Sequence, residues 1–184
     1  MPHELNAPRI VVASGMSGTG VSAVSTRLQE AAPGLNIVDA GSMWTDIAEA
    51  CGPGFARMIV VTTHDIIAIT SAYALIKLVR EHFTDAPLEV LVNASGERDA
   101  LKTYERVQVA CSHFLGETVG FAGSVPHDAV EQEPGEMQAM HLPRATLGAA
   151  AVTALHNLAT RLDEELEATV LRGSWRHGER RAAL

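Results

Sequence analysis

The sequence predicts an α/β fold in which helices cover both faces of a mainly parallel, five-stranded sheet. Three continuous apolar segments, at residues 10–13, 58–61 and 88–92, have the pattern of strands that are buried on both faces. Segments with helical spacing of apolar residues lie between the strands. Because such alternation produces right-handed βαβ units, we expect a three-layer αβα arrangement with strand order 2-1-3-4-5.

The predicted strands are short apolar runs, most of which end at a polar residue, and they are separated by glycine and proline breaks such as Pro33-Gly34 and Gly52-Pro53-Gly54. In chain order they are Ile10–Ala13, Leu35–Val38, Met58–Val61, Leu88–Val92 and Val119–Val125. The fifth is predicted despite Gly120 and Gly123, because its other residues keep the pattern of a strand.

The predicted helices carry apolar residues three and four positions apart. They cover Val21 to about Gln29, Ser42–Cys51, Ile66–Phe83, Glu97–Leu115 and a last helix that begins at Pro143. The last helix places one apolar face against the core, with Leu147, Ala151, Ala154, Leu155, Leu158 and Leu162. We expect a single domain over residues 1–172 and a flexible C-terminal tail over residues 173–184.

Composition narrows the classes of function. The formal net charge of −8 disfavours non-specific nucleic-acid binding, which needs a basic surface. The sequence has no apolar run as long as a membrane span and no secretory signal, so we expect a cytoplasmic protein without stable membrane insertion. Cys51 and Cys111 are expected to be free, buried thiols. The eight histidines are scattered, and no pair has a convincing metal-binding spacing.

A glycine-rich turn follows the first strand, in the stretch RIVVASGMSGTGVS that begins at Arg9. Small residues between a strand and a helix let backbone N–H groups converge on an anion, and the helix dipole favours a negative charge there. The spacing Gly15-x-x-x-x-Gly20 matches the start of the Walker A pattern, which continues with Lys and Ser or Thr. Here the next two residues are Val21 and Ser22, so the lysine is missing.

The other candidate residues also follow predicted strands. Because the carboxyl ends of parallel strands share one edge of the sheet, ligands bind outside that edge at the switch point of the strand order. The candidates there are Gly15–Ser22, Asp39, Thr62–Asp65, Asn93 and Pro126–Asp128. His64 beside Asp65 suggests a general base, but without a nucleophile partner a solvated pair is the alternative interpretation.

The segment VVTTHDIIAITSAYALIKLV, which begins at Val60, resembles the "VVTTPE…AITDAYALIK" block of the MinD/ParA-like (SIMIBI class) P-loop ATPases. It is most similar to the branch that regulates flagellar number and placement (FlhG, FleN, YlxH). Further segments resemble the family's Walker B strand, its adenine-contacting strand end and its "IPxD" segment. They are Asp39-Ala40-Gly41, Leu91-Val92-Asn93 and Val125-Pro126-His127-Asp128. The resemblance covers residues 9–162 and implies a P-loop NTPase-like fold.

The sequence departs from that family at the residues that handle phosphate. The family motif KGGVGKT falls on residues 16–22, where its two lysines are replaced by Met16 and Val21. Met43 replaces the second glycine of "DTGAG" at the γ-phosphate end. Only about seven residues separate the first helix from the Asp39 strand, so the family's longer insert with switch I and its catalytic Asp is missing.

The resemblance implies a vestigial or weak nucleotide or anion site. Its residues are Gly15, Gly18, Thr19, Gly20, Val21, Ser22, Asn93 and Pro126. Ser22 and Asp39 are metal ligands only if a Mg²⁺-nucleotide binds. We expect no catalytic residue and no cofactor beyond weakly bound ATP and Mg²⁺. The alternative is that the turn is kept because the strand and the helix pack closely.

These observations favour a non-catalytic regulatory or scaffolding protein in flagellar assembly, number or polar placement. The resemblance implies protein partners, either a related intact ATPase or a signal-recognition-type GTPase of flagellar placement, as well as a homodimer, and recruitment from the cytoplasm to the cell pole or the inner membrane surface. The alternative is an atypical ATP-binding switch that dimerises on nucleotide.

Overall fold

The computed structural model describes residues 8–83, 85–93, 96–126 and 148–171. The strands in these ranges are β1 (Arg9–Ala13), β2 (Asn36–Gly41), β3 (Phe55–Thr62), β4 (Leu88–Asn93) and β5 (Gly120–Val125). The helices are α1 (Val21–Ala31), α2 (Trp44–Ala50), α3 (Ile66–His82), α4 (Glu97–Leu115) and α5 (Ala149–Leu171). The strands and helices alternate along the chain, as the sequence predicts.

The five strands form one sheet in the order β2-β1-β3-β4-β5, and every neighbouring pair is parallel. This confirms the predicted fold class and strand order. The order reverses at β1, which lies between β2 and β3. Loops that follow these three strands therefore meet at the carboxyl edge of the sheet, where ligands of open α/β folds bind.

Two hydrophobic layers cover the sheet, because successive side chains of a strand point to opposite faces. In β1, Val11 and Ala13 face the layer that contains α2, α3 and α4, whereas Ile10 and Val12 face the layer of α1 and α5. β3 and β4 alternate in the same way and are buried on both faces, which explains their continuous apolar sequences. α5 buries Ala151, Leu155, Leu158, Ala159, Leu162 and Leu166.

Element boundaries differ from the predicted ones where the apolar signal is weak. β3 begins at Phe55, three residues earlier than predicted, because Phe55 and Arg57 pair with the start of β1 although they are only half-buried. α2 is shorter than the predicted Ser42–Cys51 helix, because Met43 is its extended N-cap. The described part of the last helix begins at Ala149. Pro143, Leu147 and the predicted tail at 173–184 lie outside the described residues.

A network of four charged side chains lies at the amino edge of the sheet, on the α5 side. Arg57 on β3 pairs with Glu89 on β4 and, at 2.6 Å, with Glu165 on α5. Arg161 on α5 pairs with Glu89 at 2.7 Å and with Glu165 at 3.0 Å. We call these four residues the amino-edge ion network. Because it joins two strands to α5, it fixes the position of that helix on the sheet.

Candidate functional site

The loop between β1 and α1 is anchored at its first residue. The backbone N–H of Ser14 donates to the carbonyl of Gly41 at the end of β2, at 2.9 Å. The Ser14 hydroxyl accepts from the N–H of Met16 at 3.1 Å and donates to the Met16 carbonyl at 2.6 Å. These bonds fold residues 14–16 into a compact turn beside the end of β2. The Walker A-like stretch is therefore an ordered loop at the carboxyl edge.

Glycines at three loop positions have separate structural reasons. A Cβ at Gly15 would overlap the backbone carbonyl of Ser71 in α3, so the loop lies directly against that helix. Gly18 and Gly20 have φ values of 85° and 89°, which favour glycine. A Cβ at Gly20 would also overlap the amide nitrogen of Asn93. Close packing explains the glycine at position 15, backbone conformation explains Gly18, and both apply at Gly20.

Asn93, at the end of β4, is joined to the loop by a hydrogen bond. Its Nδ2 donates to the carbonyl of Thr19 at 2.8 Å. The sequence predicts that Asn93 belongs to the site, and the structure brings it together with Thr19 and Gly20. The Thr19 side chain is buried, and its Oγ1 has no hydrogen-bond partner among the described residues. An unpaired buried hydroxyl is a polar group that an anion or water could satisfy.

Apolar side chains, one buried and one half-buried, occupy both positions at which the family motif has lysine. Val21 is 8% exposed and belongs to the hydrophobic layer between α1, α5 and the sheet. Met16 is half-buried in the loop turn. The sequence's two lysines lie elsewhere on helix surfaces: Lys77 is 3.9 Å from Glu81, and Lys102 is 3.0 Å from Asp99. Residues 14–22 therefore bring no cation to bound phosphate, and they do not fit a tightly held nucleotide.

The candidate metal ligands are both exposed. Ser22 lies in the first turn of α1, and Asp39 Oδ1 accepts a hydrogen bond from the N–H of Gly41 at 3.0 Å. Asp39 therefore stabilises the turn after β2. Within the described ranges, no three His, Cys, Asp or Glu side chains form a group that could hold a metal ion.

Pro126 follows β5 at the outer edge of the sheet. β5 is three strands from β1, but the loop reaches Asn93 on β4, and Asn93 pairs in register with Val125, the residue before Pro126. The structure therefore places Pro126 next to Asn93, at the outer end of the candidate group. His127 and Asp128, predicted beside it, lie outside the described residues.

The pair His64-Asp65 is exposed at the end of β3. Asp65 is the N-cap of α3, and its Oδ1 accepts from the N–H of Ile67 at 2.7 Å. The pKa of Asp99 in the first turn of α4 is lowered, mainly by its hydrogen bond from Lys102 and to a smaller extent by the charges of Arg98 and His64. His64 therefore lies near that turn. Helix capping accounts for Asp65. Arg98 is not among the residues that the sequence predicts for the site.

Three exposed apolar side chains at this edge were also not predicted as functional residues. Met43 is 64% exposed, Ile66 is 65% exposed and Ile67 is 63% exposed. Met43 is the N-cap of α2, and the two isoleucines form the first turn of α3. The sequence marks Met43 only as a substitution in a family motif. Apolar residues at the start of a helix have the same sequence signal as core residues, so their exposure was not visible in the sequence.

Neither cysteine is a candidate for chemistry at this edge of the sheet. Both are buried free thiols, as predicted, and burial raises the pKa of each to about 11. They are protonated near neutral pH and are poor nucleophiles. Among the described residues, no helix is both long and apolar enough to cross a membrane.

A parallel αβα sheet of order 2-1-3-4-5, with a glycine-rich loop at its switch point, is the arrangement of doubly wound nucleotide-binding folds. The solved structure of the MinD cell division protein from Aquifex aeolicus is similar to this chain, with a TM-score of 0.56 and 13% sequence identity. The match covers 86% of this chain and 98% of that one. No protein-family model matches the sequence, and no curated protein matches it. The likeness to MinD confirms the predicted MinD/ParA-like fold.

Proposed function

We propose that this protein is a non-catalytic regulatory or scaffolding protein of the MinD/ParA type that acts through protein–protein contacts. The observation that carries the proposal is the burial of Val21 at the position of the Walker lysine. Val21 contributes to the core between α1 and α5, and so the loop is maintained by packing. Hydrogen bonds of Ser14 and Asn93 also hold the loop against its own backbone.

The absence of both lysines should reduce the free energy of nucleotide binding substantially. Each missing lysine removes a charge-assisted hydrogen bond worth roughly 1.5–3 kcal/mol. Phosphoryl transfer depends almost entirely on positioning and on electrostatic stabilisation of the phosphate. Two apolar residues in a loop without any charged side chain from residue 14 to residue 22 therefore support a role other than hydrolysis.

We place the role in flagellar assembly, number or polar placement. The support is the segment from Val60 to Val79, which resembles the flagellar-number regulators and forms the end of β3 and most of α3. Partners of suitable chemistry are a related intact ATPase or a signal-recognition-type GTPase. The protein then works in the cytoplasm and is recruited to the pole or the inner membrane surface by such partners.

A second candidate is an atypical switch that binds ATP and dimerises on it. Two features favour it: the left-handed glycines Gly18 and Gly20 at the start of α1, and the unpaired hydroxyl of Thr19. Backbone N–H groups at a helix N-terminus attract anions without a lysine. Under this alternative, Ser22 and Asp39 hold Mg²⁺.

Titration calorimetry with ATP and Mg²⁺ distinguishes the two. For a non-catalytic protein we expect a dissociation constant weaker than about 1 mM, equivalent to a binding free energy smaller than about 4 kcal/mol. Micromolar binding accompanied by ATP turnover would establish the alternative. Phosphate release measured on the same samples separates binding from hydrolysis.

The variant Met16→Lys tests whether a lost lysine causes the weak binding, and Val21 is left unchanged because a lysine there would replace a core side chain. Restoring one charge-assisted contact should strengthen ATP binding at least about 10-fold. The matched control is Thr26→Lys, which adds a cation to the exposed side of α1. An equal gain in that control would mean that general electrostatic attraction, and not the loop, binds the nucleotide.

A further inference from the structure

The sheet has two lateral edges, formed by its outer strands β2 and β5, and they are protected to different degrees. An open strand edge is a template for pairing with another chain, unless charges, proline or bonded side chains protect it. At β2, the Gln29 amide donates to the Leu35 carbonyl at 2.9 Å and accepts from the Ile37 N–H at 3.2 Å. The exposed Asp39 adds a charge. Both features oppose the addition of a further strand to β2.

The lateral edge at β5 has less protection. Its sequence, GFAGSV, contains no charged residue and no proline, and its one protective feature is a bulge at Ala122. Apart from the ladder with β4, residues 120–125 make no hydrogen bond with any residue that the structure describes. The outward N–H and C=O groups of β5 are therefore available to another strand.

An exposed leucine on α4 lies beside this lateral edge. The Tyr104 hydroxyl donates to the Val119 carbonyl at 2.8 Å, and Gln108 Oε1 accepts from the Val119 N–H at 2.9 Å. Leu101 precedes these two residues by three and seven positions, so it shares their face of α4. The Tyr104 ring lies 4.9 Å from that of Phe121, and α4 runs antiparallel to β5. One helical turn of about 5.4 Å therefore brings Leu101, which is 42% exposed, level with the middle of β5.

The spacing of the layers suits a second copy that is joined edge to edge. α4 packs on both β4 and β5, so its axis lies roughly between them. With neighbouring strands about 4.8 Å apart, the α4 helices of two copies joined at β5 lie about 10 Å from each other. Packed helices have axes about 8–10 Å apart. A two-fold axis at the middle of β5 therefore places Leu101 against Leu101 of the second copy.

The charges at this surface permit self-association. A chain with a net charge of −8 repels its own copy wherever acidic residues predominate. The exposed charges in the first ten residues of α4 sum to zero. They belong to Glu97, Arg98, Asp99, Lys102, Glu105 and Arg106. On the α5 side, the amino-edge ion network contains two arginines and two glutamates. The charges that border β5 therefore cancel.

We propose that the lateral edge of β5 pairs with the same edge of a second copy, so that two sheets join into one about a two-fold axis. Antiparallel pairing about such an axis satisfies both strands, because each copy supplies the groups that the other needs. A lone extended segment of a partner would pair with β5 but would bring no helix to cover Leu101. This interface lies outside residues 14–22, so it goes beyond the proposed function and does not depend on nucleotide.

Sedimentation velocity of the full chain without nucleotide tests the proposal. We expect a monomer–dimer equilibrium with a dissociation constant of about 1–100 µM, as for an interface of modest size. Leu101→Glu should raise this constant at least about 10-fold, because two carboxylates would meet near the axis. The matched control is Val109→Glu, which adds the same charge to the outward face of the same helix, at a side chain that is 66% exposed. It should leave the equilibrium unchanged, and circular dichroism verifies that both variants fold.

Cross-linking locates the contact independently. Leu101→Cys should be joined to its own copy by a bismaleimide that spans about 10 Å, the helix spacing expected at the interface. Val109→Cys should remain a monomer on a denaturing gel under the same conditions. The native thiols, Cys51 and Cys111, are buried and contribute little background.

Several results would overturn the proposal. These are a chain that stays monomeric at every concentration, an equal effect of Val109→Glu, or equally efficient cross-linking of Val109→Cys. Dimers that form only with ATP and Mg²⁺ would also overturn it and would support the nucleotide switch. Amide hydrogen exchange at residues 120–125 that stays slow after dilution to the monomer would show that one chain covers its own β5, and would exclude the pairing.

Discussion

The two edges of the sheet use charged side chains in different ways. At the amino edge, Arg57, Glu89, Arg161 and Glu165 pair with one another, and Glu89 is almost fully buried. At the carboxyl edge, residues 14–22 carry no charge, and within the described residues Asp39 and Asp65 accept local hydrogen bonds but form no ion pair with Lys or Arg. The amino edge therefore stabilises the fold internally, whereas the carboxyl edge leaves polar and apolar groups for another molecule.

The residues that stabilise the fold and the loop that resembles a binding site therefore lie at opposite edges of the same sheet. Charges that hold α5 on the sheet are on the opposite edge from the loop that resembles a nucleotide site. The loop packs closely against α3 and is hydrogen-bonded to Asn93. If this comparison is right, removing the buried member of the amino-edge network reduces stability more than a substitution in the loop at the carboxyl edge.

The largest expected effect is that of Glu89→Gln. Glu89 pairs with two arginines, and its removal leaves Arg57 and Arg161 with only Glu165 between them. Breaking a buried ion pair by removing one partner typically costs about 3–5 kcal/mol. Urea denaturation followed by circular dichroism measures the loss. The exposed pair Lys102–Asp99 supplies the control, because Lys102→Ala should cost less than about 1 kcal/mol. Equal losses in the free energy of unfolding would contradict the claim that the amino-edge ion network stabilises the fold more than exposed charges do.

An intermediate effect is expected for Gly15→Ala in the loop. The added methyl group meets the backbone of Ser71, which cannot move aside as the end of a flexible side chain can, so the loop or α3 must shift. Overpacking of this kind costs typically about 1–3 kcal/mol. Gly34→Ala is the matched control, since a Cβ there meets nothing within 4 Å. A loss in thermal stability confined to Gly15→Ala would show that packing, rather than ligand binding, requires this glycine.

The smallest expected effect is the pH dependence contributed by Glu165. Burial disfavours its ionised form, but hydrogen bonds from Arg161 and Arg57 outweigh burial and lower its pKa from 4.5. A lowered pKa in the folded state gives stability that is present above the unfolded-state pKa and is lost as the pH falls through the folded value. The melting temperature should therefore fall less between about pH 6 and about pH 3 in Glu165→Gln than in the unmodified protein. If the melting temperatures of the two proteins fall in parallel as the pH is lowered, Glu165 does not stabilise the folded protein through this network.

Much of the fold was predictable because its signals are local. The apolar runs at Ile10, Met58 and Leu88 mark strands buried on both faces, and glycine and proline breaks separate them from helices. The start of β3 at Phe55 was missed, because its first residues are half-buried and carry the polar Arg57. Polar residues in a strand become recognisable only when their partners, here Glu89 and Glu165, are brought near by other elements.

For the candidate site, the sequence identified Gly15, Gly18, Gly20 and Asn93, and the structure places them around one loop. It could not identify what each does. Gly15 faces the backbone of α3, and Asn93 bonds to Thr19 from a strand 74 residues away in the chain. Neither contact has a signal in local spacing. The assignment of these residues to nucleotide binding stays a prediction.

By itself the sequence determined the alternation of strands and helices, the strand order implied by right-handed crossovers, and the absence of lysine from the loop. These depend on residue type and periodicity along the chain. Only the tertiary structure decided that Val21 belongs to the core, that four charges pair at the amino edge, and that Met43, Ile66 and Ile67 are exposed. Burial and pairing depend on which distant elements pack together, and exposure of an apolar residue depends on the absence of such an element over it.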